Sequence, residues 1–132
     1  MSELGTKRHH SRERALEIFY EASIKDRDIA TVLHELPVRP DEYAVALLTS
    51  AAQHQEQANE LISQFSIDWP LERIAIVDRL VMTLAIGELL MSDPPPVAVV
   101  LDEAVELAKV YSTDGSASFV NGVLAACSAH LR

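Results

Sequence analysis

The 132-residue sequence contains few of the residue patterns on which catalytic and metal sites depend. It has one cysteine and four glycines, and it shows no Gly-rich phosphate loop, no HExxH or CxxC motif, and no close grouping of serine, histidine and carboxylate. His34 and His54 are isolated in the sequence and fit no metal-ligand spacing. These absences argue against an enzyme, a metal site and a cofactor.

The sequence also lacks the signals of membrane insertion, secretion and β-structure. No apolar run approaches the roughly 20 residues of a membrane span, and the N-terminus has no apolar core of a signal peptide. Aromatic residues are scarce, and no segment alternates apolar and polar residues as a half-buried strand does. Cys127 lies on an apolar stripe, which is typical of a buried thiol in a reducing compartment. We therefore expect an all-α protein located in the cytoplasm.

Hydrophobic periodicity and helix-capping residues predict where the first helices lie. Prolines and cap-type side chains separate the apolar stripes from one another. The pattern predicts a first helix from about residue 10 to about 24, a second helix capped by Asp28 and running through Leu36, a long third helix from about Pro40 to Phe65, one or two turns over residues 71–74, and a fifth helix that ends near Ser92.

Residues 97–131, which follow three prolines, are predicted to form two helices joined by a short polar turn. The first of the two is apolar around most of its circumference, which is typical of a central helix covered on most sides. Thr113, Asp114 and Ser116 are the candidates to cap the second. Gly122, inside that second helix, costs about 1 kcal/mol relative to alanine. Such a glycine usually indicates close helix packing.

Charge is distributed unevenly along the chain. The formal net charge is −9, but residues 1–14 hold four Lys or Arg side chains against two carboxylates, so this arm carries +2 and the other residues carry −11. An acidic body repels phosphate, so a contact with nucleic acid should be local to the arm. Basic side chains at a helix start oppose the helix dipole, which suits an arm that becomes ordered on an anion. A solvated, frayed arm and a basic protein partner for the acidic body are the alternatives.

Glu88 lies in the middle of the apolar stripe of the fifth predicted helix, where leucine would be expected. A carboxylate in the core is costly unless it is paired. Either Glu88 forms a buried ion pair with Arg73 or Arg79, or it contacts a basic partner where the stripe reaches the surface.

Three stretches share one family signature. The most specific is LDEAVELAKVY at residues 101–111 followed by SFVNGVL at residues 118–124. The basic arm with residues 14–20, and Trp69 and Arg73 with residues 78–90, match two further motifs in the right order. Together they resemble the bacterial transcription antitermination factor NusB family over nearly the whole chain. The sequence departs from residues common in that family at Thr83, Gly87 and Gly115.

The resemblance implies an all-α fold of about seven helices in two small bundles, at about residues 15–66 and 67–132, within a domain of residues 15–132 that follows the basic arm of residues 1–14. It implies a non-enzymatic protein that binds the boxA element of ribosomal RNA leader transcripts together with the ribosomal protein NusE. Such a protein helps RNA polymerase to read through terminators in ribosomal RNA operons.

Carried over residue by residue, the resemblance assigns RNA-binding and partner-binding residues. The ring of Phe119 would lie near the RNA path, where it could stack on a splayed base. The RNA-binding set is Lys7, Arg8, His9, Arg12 and Phe119, and the set that contacts NusE is Tyr20 and Glu88.

Two other functions remain open. The chain could be a helical interaction protein or a homodimer whose interface covers the arm, and the sequence leaves the choice between monomer and homodimer open. Alternatively, it could be an RNA-recognition module related to ribosomal RNA methyltransferases. That enzyme would need a cofactor-binding domain that these 132 residues do not contain.

Overall fold

In the computed structural model, which describes residues 2–67 and 69–131, the chain folds into seven α-helices. They are α1 Glu3–Ile24, α2 Ile29–Glu35, α3 Glu42–Gln53, α4 Gln55–Phe65, α5 Ile76–Leu89, α6 Val97–Tyr111 and α7 Ser116–His130, with a short 3-10 helix at Leu71–Arg73 between α4 and α5. The described residues contain no β-strand. The all-α prediction and the expected number of helices are confirmed.

Helix α1 begins about seven residues earlier than predicted, so the basic arm is helical. The Ser2 hydroxyl caps it by accepting a hydrogen bond of 2.9 Å from the backbone N–H of Gly5. Glu3 adds a carboxylate to the first turn, where the helix dipole favours negative charge. The prediction began the helix at the apolar stripe and gave no weight to this polar cap.

Helix α5, rather than α6, is the central helix of the fold. Every side chain from Leu80 to Glu88 is buried, and α5 packs against α1, α3, α4, α6 and α7. On α6 only Val100, Ala104, Leu107 and Ala108 are buried, while Val99 and Val110 are exposed. The prediction of α6 as the central helix is wrong, because an apolar circumference in sequence does not tell which sides a neighbour covers. The predicted pairing of α6 with α7 is confirmed.

The predicted long third helix is divided at His54. Its backbone (φ −109°, ψ 16°) leaves the helical region, and its ring nitrogen Nδ1 lies 2.9 Å from the carbonyl oxygen of Ser50. The break redirects α4 so that it contacts α7 as well as α5. No proline or glycine marks this position in the sequence, which explains why periodicity alone predicted one helix.

The turn between α6 and α7 uses a different cap from the three predicted ones. Gly115 is the N-cap residue, with φ +87°, a left-handed conformation that glycine adopts without a steric penalty. Ser112 and Ser116 instead donate hydrogen bonds to the two carboxylate oxygens of Asp78 on α5, at 2.5 and 2.9 Å. These bonds fix the start of α7 against the start of α5.

The close glycine contact lies on α5 and not on α7. A Cβ atom at Gly87 would lie 3.0 Å from the backbone nitrogen of Ala51 on α3, whereas a Cβ at Gly122 would have no neighbour within 4 Å. The interpretation of Gly122 as a packing residue is therefore wrong. The hydroxyl of Ser50 on α3 donates a hydrogen bond of 2.6 Å to the carbonyl oxygen of Gly87, which joins the two helices where they cross.

The predicted boundary between two bundles, at residues 66 and 67, falls in the loop after α4. Helix α5 contacts helices on both sides of this boundary. Met1, Asp68 and Arg132, which the predicted ranges include, lie outside the described residues. None of the described helices is long and apolar enough to cross a membrane.

Candidate nucleic-acid and partner interface

A buried ion pair joins α1 to α5. The guanidinium of Arg12 donates two hydrogen bonds to Glu88, from Nε to Oε1 at 2.9 Å and from an Nη atom to Oε2 at 2.7 Å. Both residues are almost inaccessible, at 5% and 2% exposure. The hydroxyl of Tyr43 on α3 donates a third hydrogen bond, 2.5 Å long, to Oε2 of Glu88. The carboxylate is thus satisfied by three donors from two other helices, as a buried charge requires.

This geometry explains how Glu88 fits the apolar stripe. The expected ion pair exists, but its cation is Arg12, 76 positions earlier, and not Arg73 or Arg79. The predicted contact of Glu88 with a basic partner does not fit this position, because its carboxylate is covered by the protein's own helices. Arg12 was also assigned to RNA, yet its guanidinium points into the core and not toward an external phosphate.

His9 is held by carboxylates of the protein. Its Nδ1 lies 2.7 Å from Oε2 of Glu103 on α6, and its Nε2 lies 3.6 Å from Oε1 of Glu13. The hydrogen bond with Glu103 raises the pKa of His9 above its ordinary value, with smaller contributions from the charges of Glu103 and Glu13, while partial burial opposes the shift. Glu103 also lies 3.8 Å from Arg12. His9 therefore links α1 to α6.

Lys7 and Arg8 lie where α1 faces the start of α3. They line a wide groove whose other wall is the start of α3, with Asp41, Glu42 and Tyr43. Within the described part of the chain, neither Lys7 nor Arg8 has a carboxylate oxygen within 4.0 Å. The guanidinium carbon of Arg8 lies over the ring of Tyr43, 4.6 Å from its centroid. These two cations are available to an external anion.

Phe119, half-buried on the first turn of α7, lies in a cleft formed by the start of α5 and the α6–α7 turn. Trp69, which is 52% exposed, and the exposed Arg73 share this cleft. Its volume of about 370 Å³ lies within the range of roughly 300–1,000 Å³ for small-molecule pockets. Aromatic faces beside a guanidinium are the groups on which unpaired nucleic-acid bases stack.

Tyr20, 41% exposed, lies in a shallow apolar groove with Leu16, Val77 and Tyr111. Glu17 also lines the groove, and Tyr111 donates a hydrogen bond of 3.0 Å to Glu13 at its border. An apolar floor with an acidic border is suited to a partner that carries apolar and basic side chains.

The structure groups some predicted residues and separates others. The four predicted RNA-binding residues of α1 face three different surroundings. Lys7 and Arg8 line the groove toward α3, His9 contacts a carboxylate of α6, and Arg12 lies in the core. Phe119 lies on α7 in a separate cleft, and Tyr20 does not share a surface with the buried Glu88.

Sequence reasoning did not assign functions to Tyr43, Glu103 or Asp78, all of which form contacts at these sites. Asp78 is bonded by serines 34 and 38 residues later in the chain, and no local pattern in the sequence indicates a contact at that separation. Within residues 2–67 and 69–131, no three His, Cys, Asp or Glu side chains are grouped so that they could hold a metal ion.

Comparison with known proteins gives consistent results over almost the whole chain. The model of the NusB family matches residues 9–129. The chain is 44% identical over 127 residues to the transcription antitermination protein NusB of Acidothermus cellulolyticus, covering 93% of this chain and 88% of that relative.

Solved structures agree with this match. The fold is similar to that of T. maritima NusB, with a TM-score of 0.82 and 31% identity over 92% of this chain and 90% of the other. It is also similar to a chain in a crystal structure of the antitermination factors NusB and NusE in complex with double-stranded RNA, with a TM-score of 0.77, 25% identity and coverage of 93% and 96%.

Proposed function

Because this chain belongs to the NusB family, we propose that it is a non-enzymatic, RNA-binding transcription antitermination factor. It binds the boxA element of ribosomal RNA leader transcripts in the cytoplasm together with NusE, and it joins the complex that lets RNA polymerase read through terminators. Support for the RNA and NusE partners comes from the similar chain crystallised with NusE and RNA.

The observation that carries the RNA-binding part is the pair of cations at Lys7 and Arg8. The chain has a net charge of −9, and on α1 the basic side chains of His9 and Arg12 are paired with carboxylates of the protein itself. Lys7 and Arg8 keep their charges available on α1, so phosphate contacts concentrate there. Arg12 is absent from this set because Glu88 holds it in the core. His9 is likewise absent from it, because its ring faces Glu103 of α6.

The Phe119 cleft supplies contacts to bases. Phe119 and Trp69 provide aromatic faces, and Arg73 adds a planar cation that can stack or bind phosphate. Asp78 and its two serine partners hold the α6–α7 turn, and hence the first turn of α7, in place. The cleft therefore suits an unpaired base that leaves the strand.

The Tyr20 groove is the surface we assign to NusE. Its apolar floor and the flanking Glu13 and Glu17 match a basic partner. The net negative charge of the chain also attracts a positively charged partner. This surface is distinct from the groove at Lys7 and Arg8, so protein and RNA can bind at the same time.

The test is a binding experiment with purified protein, NusE and a fluorescently labelled boxA RNA. We expect a one-to-one-to-one complex by light scattering. Replacing both Lys7 and Arg8 with alanine should weaken RNA binding and reduce the slope of log K against log salt by about 0.7 for each phosphate that is no longer neutralised. Lys25→Ala is the matched control, because Lys25 lies at the other end of α1 beside Glu21. Unchanged affinity and slope in the double variant would contradict the proposed RNA contacts.

A homodimer is the second candidate, favoured by the exposure of Tyr20 and Tyr111 in one apolar groove. Light scattering distinguishes the two, since a stable dimer that binds neither NusE nor RNA would show that self-association covers this surface. A dimer that dissociates when NusE is added would instead show that both partners use the Tyr20 groove.

A further inference from the structure

Tyr43 on α3 lies close to two cations of α1. Arg8 and Arg12 are four residues apart and therefore project from the same face of the helix. The guanidinium carbon of Arg8 is 4.6 Å from the centroid of the Tyr43 ring, and that of Arg12 is 5.9 Å away. Arg12 is fixed in the core by Glu88, whereas Arg8 borders the open groove.

A hydrogen bond joins the Tyr43 side chain to the buried ion pair. Its hydroxyl donates a hydrogen bond of 2.5 Å to Glu88, whose carboxylate also accepts two bonds from Arg12. Burial, followed by this hydrogen bond, raises the pKa of Tyr43, so the phenol stays protonated and keeps donating. Hydrogen bonds thus connect the buried pair of Arg12 and Glu88 to the half-buried ring of Tyr43.

We propose that Tyr43 is a positioning residue for RNA binding, because its ring holds the Arg8 guanidinium in place to contact a phosphate. This inference rests on the proposed function. An arginine on a helix surface otherwise samples many rotamers, and ordering it opposes binding. Stacking on a fixed aromatic face removes part of that cost before the RNA arrives, and the planar guanidinium keeps its N–H edges free.

The experiment measures boxA RNA affinity, with NusE present, for a set of single and double variants. Tyr43→Leu removes the ring and should weaken binding about two- to fivefold, the size expected from an exposed cation–π contact. Tyr43→Phe keeps the ring but loses the hydrogen bond to Glu88 that holds it, so its decrease in affinity should be smaller than that of Tyr43→Leu. In an Arg8→Ala background, Tyr43→Leu should have no further effect, because there is no guanidinium left to position.

Three results would overturn the proposal. One is an equal decrease of affinity in Tyr43→Phe and Tyr43→Leu, and another is the same fold-decrease from Tyr43→Leu with and without Arg8. If Tyr43→Leu fails to fold, Arg8→Lys replaces it, because lysine keeps the charge without the planar stack. Unchanged affinity in Arg8→Lys is the third contrary result.

Failure of the proposed function has a different signature. A wild-type protein that does not bind the RNA at all would overturn both proposals. If Lys7→Ala weakens RNA binding while Arg8 and Tyr43 show no coupling, the RNA-binding function stands and only the positioning role is refuted.

Discussion

Replacement of Glu88 by glutamine should destabilise the fold severely. The substitution keeps the shape of the side chain but leaves the Arg12 charge buried without its bidentate partner. Removing one partner of a buried pair costs about 3–5 kcal/mol. Glu103, 3.8 Å from another nitrogen of Arg12, compensates in part, so we expect the lower end, about 3 kcal/mol. That is a large fraction of the roughly 5–15 kcal/mol by which a domain is stable.

Urea unfolding followed by circular dichroism at 222 nm measures this destabilisation. With a slope of roughly 1–3 kcal/mol per molar urea, the midpoint should fall by about 1–3 M. Glu106→Gln on α6 is the control, because Glu106 pairs with Lys109 at 3.2 Å on the exposed surface. Such surface pairs contribute about 0–1 kcal/mol.

A double variant separates the pair from general disruption of the core. Arg12→Met combined with Glu88→Leu removes both charges, so its destabilisation should be much smaller than the sum of the two single effects. A Glu88→Gln protein within about 0.5 kcal/mol of the wild type would refute the buried pair as a stabilising contact. Retained stability together with an absence of NusE binding would restore Glu88 as a partner contact.

Two further predictions concern a glycine pair and a histidine. Gly87→Ala should destabilise the fold by about 1–3 kcal/mol, because the added Cβ would crowd the backbone of Ala51. Gly122→Ala should stabilise the fold by up to about 1 kcal/mol, because its Cβ meets no neighbour and alanine favours the helix. Thermal unfolding of both variants measures the difference. The raised pKa of His9 means that its protonated form stabilises the fold; this stability is present below about pH 6.5 and is lost as the pH rises through the raised value. An NMR titration should place the His9 pKa above 6.5 in the wild type and lower it in Glu103→Gln, and an unshifted His9 would contradict the contact.

The helices were predictable because their signals are local. Apolar spacing and the cap residue Asp28 predicted the ends of α2 to within one residue. In the structure the Asp28 carboxylate accepts a hydrogen bond from the backbone N–H of Thr31. The break at His54 was not predictable from spacing, since no proline or glycine marks it in the sequence. The central position of α5 likewise depends on which faces are covered, and sequence periodicity does not contain that information.

The candidate site was partly predictable. The excess of basic residues in the arm pointed to Lys7 and Arg8, and both lie on an open groove. The inward position of Arg12 could not be foreseen, because its partner Glu88 lies 76 residues away and pairing at that distance depends on the tertiary fold. The position of Glu88 on an apolar stripe indicated a carboxylate that needs a partner, but neither Arg73 nor Arg79 is its cation, and its assignment to NusE does not fit its burial.

The five neighbours of α5 also determine when the chain can finish folding during synthesis. Its apolar surface is covered in part by α1, which emerges early from the ribosome, and in part by α7, which ends at His130. Until residues 116–130 have emerged, one side of α5 has no covering helix. A nascent chain at that stage exposes aggregation-prone surface for as long as the last turns take to be made. The helical fold of these residues can therefore close only after α7 has been made, and the contact with α7 is the last of the five around α5 to become possible.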